Sequence, residues 1–337
     1  LTERRPILHL DRVAETRTLG ILSDIHYASA PEQARGDDYE YRDLRNPLQR
    51  VLLMLSRRFI WQRRPLRQNH LLDAFLREAG PLDLVVANGD YSCDSRFVGV
   101  SDDAACQSAR ECLALLRQRF GPSLRATLGD HELGKVSFFG MRGGMRLASW
   151  ERATRELELA PFWQTTLGNY VLMGVVSSLL ALPLFEADTL PEERPEWERL
   201  RAGHIAEIRR AFAALQPGQR VLLFCHDPSA LPFLLREDPV QSRLPQIEHT
   251  IVGHLHSQVV LRQSRLLAGM PSLPFLGHTA ARYTAALRQA RLWRPFRVRL
   301  CPSLAGLELL KDGGFYTVQL DCQGARPARF HFHRLSR

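Results

Sequence analysis

The chain has 337 residues, 45% of them hydrophobic and 24% charged, with a formal net charge of +9. That balance excludes a disordered chain and suits one large α/β domain or two modest ones, each able to bury a sizeable core. All but Lys135 and Lys311 of the 45 basic residues are arginine, a usage that attracts phosphate through a bidentate fork but also follows from a biased genome.

The longest apolar run, 171–185, is broken by Gly174, Ser177, Ser178 and Pro183. It falls short of the ~20 residues that cross a bilayer. No basic, apolar leader pattern opens the sequence at Leu1. Six cysteines lack a Cys-x-x-Cys pair or a framework spacing. They read as mostly buried thiols in a reducing, cytoplasmic setting.

Residues 17–24 read as a first buried strand. Residues 27–68 read as an insertion with a polar first half. Its second half predicts a helix that Asn46 caps, Pro47 begins and Pro65 stops. Leu48, Leu52, Leu55 and Phe59 form an apolar stripe there, and Arg50, Arg57 and Arg64 recur on another face. A helix over 70–79, a strand over 82–87, a helix over 102–120 and a strand over 123–128 follow. Residues 140–144 predict a Gly-rich loop and 150–157 a helix. Residues 170–180 predict one or two strands, and 191–215 a long charged helix. Strands are expected at 220–225 and 250–252, with a helical stretch at 231–236 between them. A second basic helix, 279–293, lies in a second expected insertion, 261–297. Segments 298–300, 315–320 and 329–333 predict closing strands. The expected organisation is a single domain over 1–337, with the two insertions forming a cap.

Strands alternating with helices imply α/β architecture. At strand after strand an acidic residue or a histidine stands just past the apolar run, at the edge where open α/β sheets bind ligands. The segments are Asp24-Ile-His26, Asn88-Gly89-Asp90, Gly129-Asp130-His131-Glu132, Cys225-His226-Asp227 and Gly253-His254-Leu255-His256. Three carboxylates (Asp24, Asp90, Asp130) and four imidazoles among them are too many for one open metal ion and suit two. Mixed carboxylate and imidazole donors suit Mn, Fe, Zn or Ni rather than Mg or Ca, with Mn, Fe or Zn the expected ions. Two ions ~3.5–4 Å apart share a bridging carboxylate and a water that becomes hydroxide, the nucleophile for an in-line displacement at phosphorus. Gly89, Gly129 and Gly253 are expected to turn the chain so that the next side chain faces the ions.

This ordered set resembles the calcineurin-like metallophosphoesterases over roughly residues 17–260. The resemblance implies a four-layer αββα sandwich of two mixed sheets, with a dinuclear site at the strand ends. It implies that Asp24, His26 and His256 hold one metal and that Asp130, His226 and His254 hold the other, with Asp90 bridging. His131 would bind no metal; it would protonate the leaving oxygen or steady the transition state. Asp130 departs from the pattern, which has Asn there. Asp24, Asp90, Asp130 and one hydroxide carry four negative charges, enough to neutralise two divalent ions. The expected consequence is tighter metal retention and a weaker pull on phosphate.

Other residues carry blander expectations. Asp227 is expected as a solvated loop carboxylate, with a hydrogen bond to a ligand as the alternative. Cys225 should face away from the site. Cys93 and Ser92 should line the site, and 301–303 is a candidate to approach it from the closing strands. His9, His70, His204, His249, His278, His331 and His333 read as surface or packing residues. The two Arg-rich helices admit three readings: outer helices with solvated arginines, a cap for a substrate with an apolar part and a phosphate, or docking on an anionic membrane. Charge also permits nucleic acid, but no aromatic interleaving favours it. The expected activity is hydrolysis of a phosphoester, preferably a phosphodiester or pyrophosphate, in a small-molecule or lipid-linked substrate. A nuclease and a catalytically silent scaffold are the alternatives.

Overall fold

The computed structural model describes residues 16–137, 142–271 and 278–335, and only the backbone of 278–283. His9, part of the 140–144 loop and the side chain of His278 lie outside the described residues. Among the described residues, ten strands form two five-stranded sheets. The first has the order β10-β9-β1-β2-β3, from β1 (Thr16–Leu22), β2 (Leu84–Ala87), β3 (Leu124–Ala126), β9 (Gly314–Asp321) and β10 (Arg329–Arg334). The second has the order β4-β5-β6-β7-β8, from β4 (Phe162–Leu167), β5 (Tyr170–Val175), β6 (Arg220–Cys225), β7 (Ile247–Val252) and β8 (Val298–Leu300). Both are mixed. β1, β2 and β3 run parallel while β9 and β10 oppose them, and β5 to β8 run parallel while β4 opposes β5.

Period-two alternation builds the layers. Leu19, Ile21, Leu84 and Val86 of the first sheet meet Leu172, Leu222, Phe224 and Ile251 of the second in a core between the sheets. The alternate residues face outward. Leu22, Val85 and Ala87 pack under the Asn69–Glu78 and Asp103–Phe120 helices, with Leu72, Phe75, Leu113 and Leu116. Val171, Met173, Val221, Leu223 and Cys225 pack under the Arg194–Ala213 helix through Ile208 and Phe212. The result is the expected four layers, helix–sheet–sheet–helix. Alternation also turns Cys225 away from the site. All six cysteines are free. No helix among the described residues is long and apolar enough to cross a membrane.

Three local expectations are corrected. Ser177–Leu180 is helical rather than a strand. β4 went unpredicted because its residues are half exposed and give no continuous apolar run. The helix capped by Asn46, whose side chain accepts from the Leu48 and Gln49 amides, ends at Phe59 and not at Pro65. That Pro47–Phe59 helix buries none of its residues. Its stripe of Leu48, Leu52, Leu55 and Phe59 points to solvent, whereas Arg57 turns inward and pairs with Glu40.

Candidate metal centre

All the motif segments sit at the C-terminal ends of parallel strands. β1, β2 and β3 deliver Asp24, His26, Asp90 and Asp130, and β6 and β7 of the other sheet deliver His226, His254 and His256. The backbone there is held in an uncommon conformation. Asp24, His26, Asp90, His254 and His256 have φ between +50° and +61°, the left-handed region, which costs a non-glycine residue about 1–3 kcal/mol. Of the three glycines expected to make turns, Gly89 does so, with φ +92°. Gly129 and Gly253 serve close approach instead: a Cβ on them would lie 2.2 Å from Asp90 Oδ1 and 2.5 Å from Asp24 Oδ2.

The side chains converge in two groups. In one, His256 Nε2 is 3.3 Å from Asp24 Oδ1 and 3.3 Å from His26 Nε2. In the other, Asp130 Oδ1 is 3.2 Å from His226 Nε2 and 2.9 Å from His254 Nδ1. Within each trio the donor atoms lie within 4.8 Å of one another. Asp90 stands between them, with Oδ2 3.2 Å from His226 Nε2, and it groups both with Asp24 and His226 and with His26 and His131. His131 Nε2 lies 3.7 Å from Asp90 Oδ2.

Neighbouring backbone orients the rings. His226 Nδ1 donates to the Asn88 carbonyl at 2.6 Å and His26 Nδ1 faces the Ser92 carbonyl at 3.3 Å. Each leaves its Nε2 toward the carboxylates, the arrangement in which an imidazole ligates. Glu132, quoted in the motif without a role, braces the loops. Its buried carboxylate accepts from the amides of Asp90 (3.0 Å), Tyr91 (2.8 Å) and Gly129 (2.8 Å).

The charge balance fits divalent cations. Asp24 and Asp90 are 1% exposed and Asp130 is 8% exposed, and Asp90 Oδ2 has no well-oriented hydrogen-bond donor among the described residues. Burying three carboxylates this close is unfavourable without positive charge. Burial pushes Asp24 up to about 6. It lowers His26 to about 4 and takes His256 well below its ordinary value, so both rings are neutral, as ligands must be. Burial also opposes charge on His226 and His254, but carboxylates outweigh it. Asp90 and Asp24 hold His226 well above its ordinary value, and Asp130 with Asp227 lifts His254 to about 9. Cations in the two groups would supply the positive charge that those carboxylates otherwise draw from protons.

Other residues reach the centre. Lys135, one of the two lysines, places its ammonium against His131 Nε2 and 3.4 Å from Asp130 Oδ2. Sequence reasoning missed it, although a lone lysine four residues after His131 in an arginine-rich chain was the available signal. The Trp61 ring lies tilted against that of His256, with centroids 4.9 Å apart, a contact that sequence spacing does not reveal. Asp227 is not a solvated carboxylate: it is 6% exposed, caps a turn by accepting from the Ser229 amide at 2.8 Å, and lies 3.9 Å from His254 Nε2. The 301–303 segment does approach, with the Ser303 amide donating to the His256 carbonyl. A cavity of about 860 Å³ stands over the centre, floored by His26, Asp130, His131, His254 and His256.

No family model matches the chain, and no curated protein does. Solved structures similar to it include two phosphatases. A dimetal phosphatase from Danio rerio has 16% identity and a TM-score of 0.37, covering 71% of this chain and 82% of that one. A purple acid phosphatase from yellow lupin (Lupinus luteus) seeds has 12% identity and a TM-score of 0.33, covering 72% of this chain and 38% of that one. Both likenesses are distant, and the chemistry of the site rests on the chain's own donors. Those donors follow one another in the order of the calcineurin-like metallophosphoesterases.

Proposed function

We propose that the protein is a dinuclear metal-dependent phosphoesterase. The observation that carries this reading is the convergence of seven carboxylate and imidazole donors, six of them buried and His254 half-buried, from both sheets, into two adjoining trios around Asp90. Asp24, His26 and His256 would hold one ion and Asp130, His226 and His254 the other, with Asp90 shared. Bound ions of the Mn, Fe or Zn class supply water activation near neutral pH and neutralise charge on the phosphoryl oxygens.

The chain's own residues do the rest. Lys135 presents a charge that Asp130 and Asp90 stabilise against its burial, holding its pKa above the ordinary value. Burial, helped by Lys135, keeps His131 neutral, at about 3. With the ammonium against Nε2, His131 is poorly placed to give a proton. Of its two expected roles, steadying the charged transition state is the one the geometry favours. We therefore assign Lys135 and His131 to the phosphoryl oxygens as a pair. The cavity leaves room for a second ester arm, which supports a diester or pyrophosphate over a bare phosphomonoester. Residues 27–68 and 261–297 both contribute lining, including Trp61, Arg57, Leu287 and Trp293, and act in this reading as a cap.

The test is a Mn-supplemented assay of bis- and mono-aryl phosphates with wild type, Asp90→Asn and His131→Ala. The wild type should turn over the diester and each variant should lose at least about 100-fold. A wild type no faster than Asp90→Asn would leave a silent scaffold. Preference for DNA or RNA over small diesters would make it a nuclease.

A further inference from the structure

The cavity over the metal centre is larger than a phosphoryl group needs. At about 860 Å³ it lies toward the top of the ~300–1,000 Å³ range of ligand pockets. Beyond its polar floor it is walled by Leu53, Phe97, Met145, Leu184, Leu287 and Trp293. The arginine in that wall, Arg57, is already paired with Glu40, so it offers no unpaired guanidinium to a second anionic group. Apolar walls above a charged floor suit a molecule with a phosphoester at one end and hydrocarbon at the other.

The rim of this cavity is built inside out. The Pro47–Phe59 helix lines the cavity with Leu52, Leu53, Ser56 and Arg57 and leaves most of its apolar side chains exposed. Leu48 is 65% exposed, Leu52 53%, Phe59 56% and the adjoining Ile60 49%. Seven of the thirteen exposed large apolar residues among the described residues fall between Leu48 and Ile60. Leu309, whose amide donates to the Ile60 carbonyl, extends the patch. Exposed arginines flank it at positions 45, 50, 58, 63 and 64. The Gln258–Leu266 helix also lines the cavity wall, with Val260 and Ser264, and exposes Val259 and Leu266 beside Arg262. No acidic residue occurs between Asp43 and Asp73, or between Glu248 and Glu308. The Pro47–Phe59 and Gln258–Leu266 helices therefore both carry exposed apolar side chains with basic and no acidic ones, the composition of segments that lie in an anionic lipid interface.

We propose that the protein hydrolyses the phosphoester of an acylated lipid taken from an anionic lipid surface. The Pro47–Phe59 helix rests on that surface, and acyl chain fills the cavity. This deepens the phosphoesterase reading and rests on it. In the reaction, water oxygen bonds to phosphorus, the P–O bond to the leaving group breaks, and a water proton ends on the leaving oxygen.

Two readouts test it. The first uses Mn-supplemented enzyme on 4-nitrophenyl alkyl phosphodiesters with methyl, hexyl and dodecyl arms, below micelle-forming concentrations. The value of kcat/KM should rise about tenfold or more from methyl to dodecyl, the mark of buried methylenes. Hydrolysis of every ester with no gain along the series overturns this proposal alone. Hydrolysis of none overturns the phosphoesterase reading and this proposal with it. The second readout is sedimentation with phosphatidylcholine vesicles, with and without phosphatidylglycerol. The protein should pellet with the anionic vesicles. A Leu48→Ser/Leu55→Ser/Phe59→Ser variant, altered only at exposed side chains and checked for an unchanged melting temperature, should stay in solution. Equal pelleting of the two proteins, or none by the wild type, overturns the proposal.

Discussion

The ammonium of Lys135 rests against Nε2 of His131, on the flank of Asp130. This pair brings a fixed positive charge to a centre otherwise made of carboxylates and imidazoles. Lys135→Met should lower kcat on a bis-aryl phosphate by about 100-fold, as loss of one transition-state donor does. Metal content, read by elemental analysis, should not change. Lys135→Arg should not restore the rate, because a planar guanidinium cannot occupy the site of a compact ammonium.

Asp130 lies within reach of two imidazoles at once. As a full negative charge among the ligands, it should hold cations more firmly than an amide. Asp130→Asn should therefore lose metal at a lower chelator concentration, by about tenfold, while turning over faster when metal is saturating. Chelator titration followed by elemental analysis checks the first half, and steady-state kinetics at saturating Mn checks the second. Unchanged values in both would refute this account of the substitution.

Glu132 offers its carboxylate to three amides on two different loops. In Glu132→Gln one of its two oxygens becomes a donor facing donors, leaving at least one buried amide without an acceptor. The expected loss of stability is about 1–3 kcal/mol, measured as a shift in the urea midpoint. Activity at saturating metal should fall as well, because the Asp90 amide is one of the three.

His204 provides a pH prediction remote from the metal centre. It is buried in the Arg194–Ala213 helix, and its Nε2 accepts the Val176 amide at 3.0 Å. Burial lowers its pKa to about 3 from the ordinary 6.5. The unfolded chain therefore binds a proton that the folded chain refuses between those values. This contribution is fully present above pH 6.5 and is lost as pH falls from 6.5 toward about 3, by up to about 1.4 kcal/mol per unit. His204→Gln keeps an acceptor for Val176 and removes the titration. Its urea midpoint should fall less steeply over that interval than that of the wild type.

The donors were legible because each follows a buried strand, and strand ends are where α/β sheets gather ligands. The segments holding Asp24, His26, Asp90, Asp130, His226, His254 and His256 came from that one regularity, and the choice of these seven as ligands came from the family resemblance. What stayed hidden depends on packing between distant segments. Trp61 reaches His256 only after the chain has folded back, and Asp227 is buried by neighbours that its local sequence does not name. The Pro47–Phe59 helix shows a different limit. Periodicity located its apolar stripe but could not tell which way the stripe faces, and it faces outward. β4 was missed for a related reason: half-exposed residues at a sheet edge give little pattern to read.

The centre lies on the seam between the sheets, with β1, β2 and β3 on one side and β6 and β7 on the other. Its geometry therefore reports how the two halves of the sandwich are seated on each other. A shift of about 1 Å at reacting groups can cost 100-fold in rate, far less movement than unfolding requires. Side chains such as Phe224 and Ile251, buried between the sheets and touching no substrate, work as alignment pins. Trimming one of them should blunt the proposed catalysis while the protein still melts as a folded molecule, so variation deep in the sandwich tunes the site as surely as variation at its mouth.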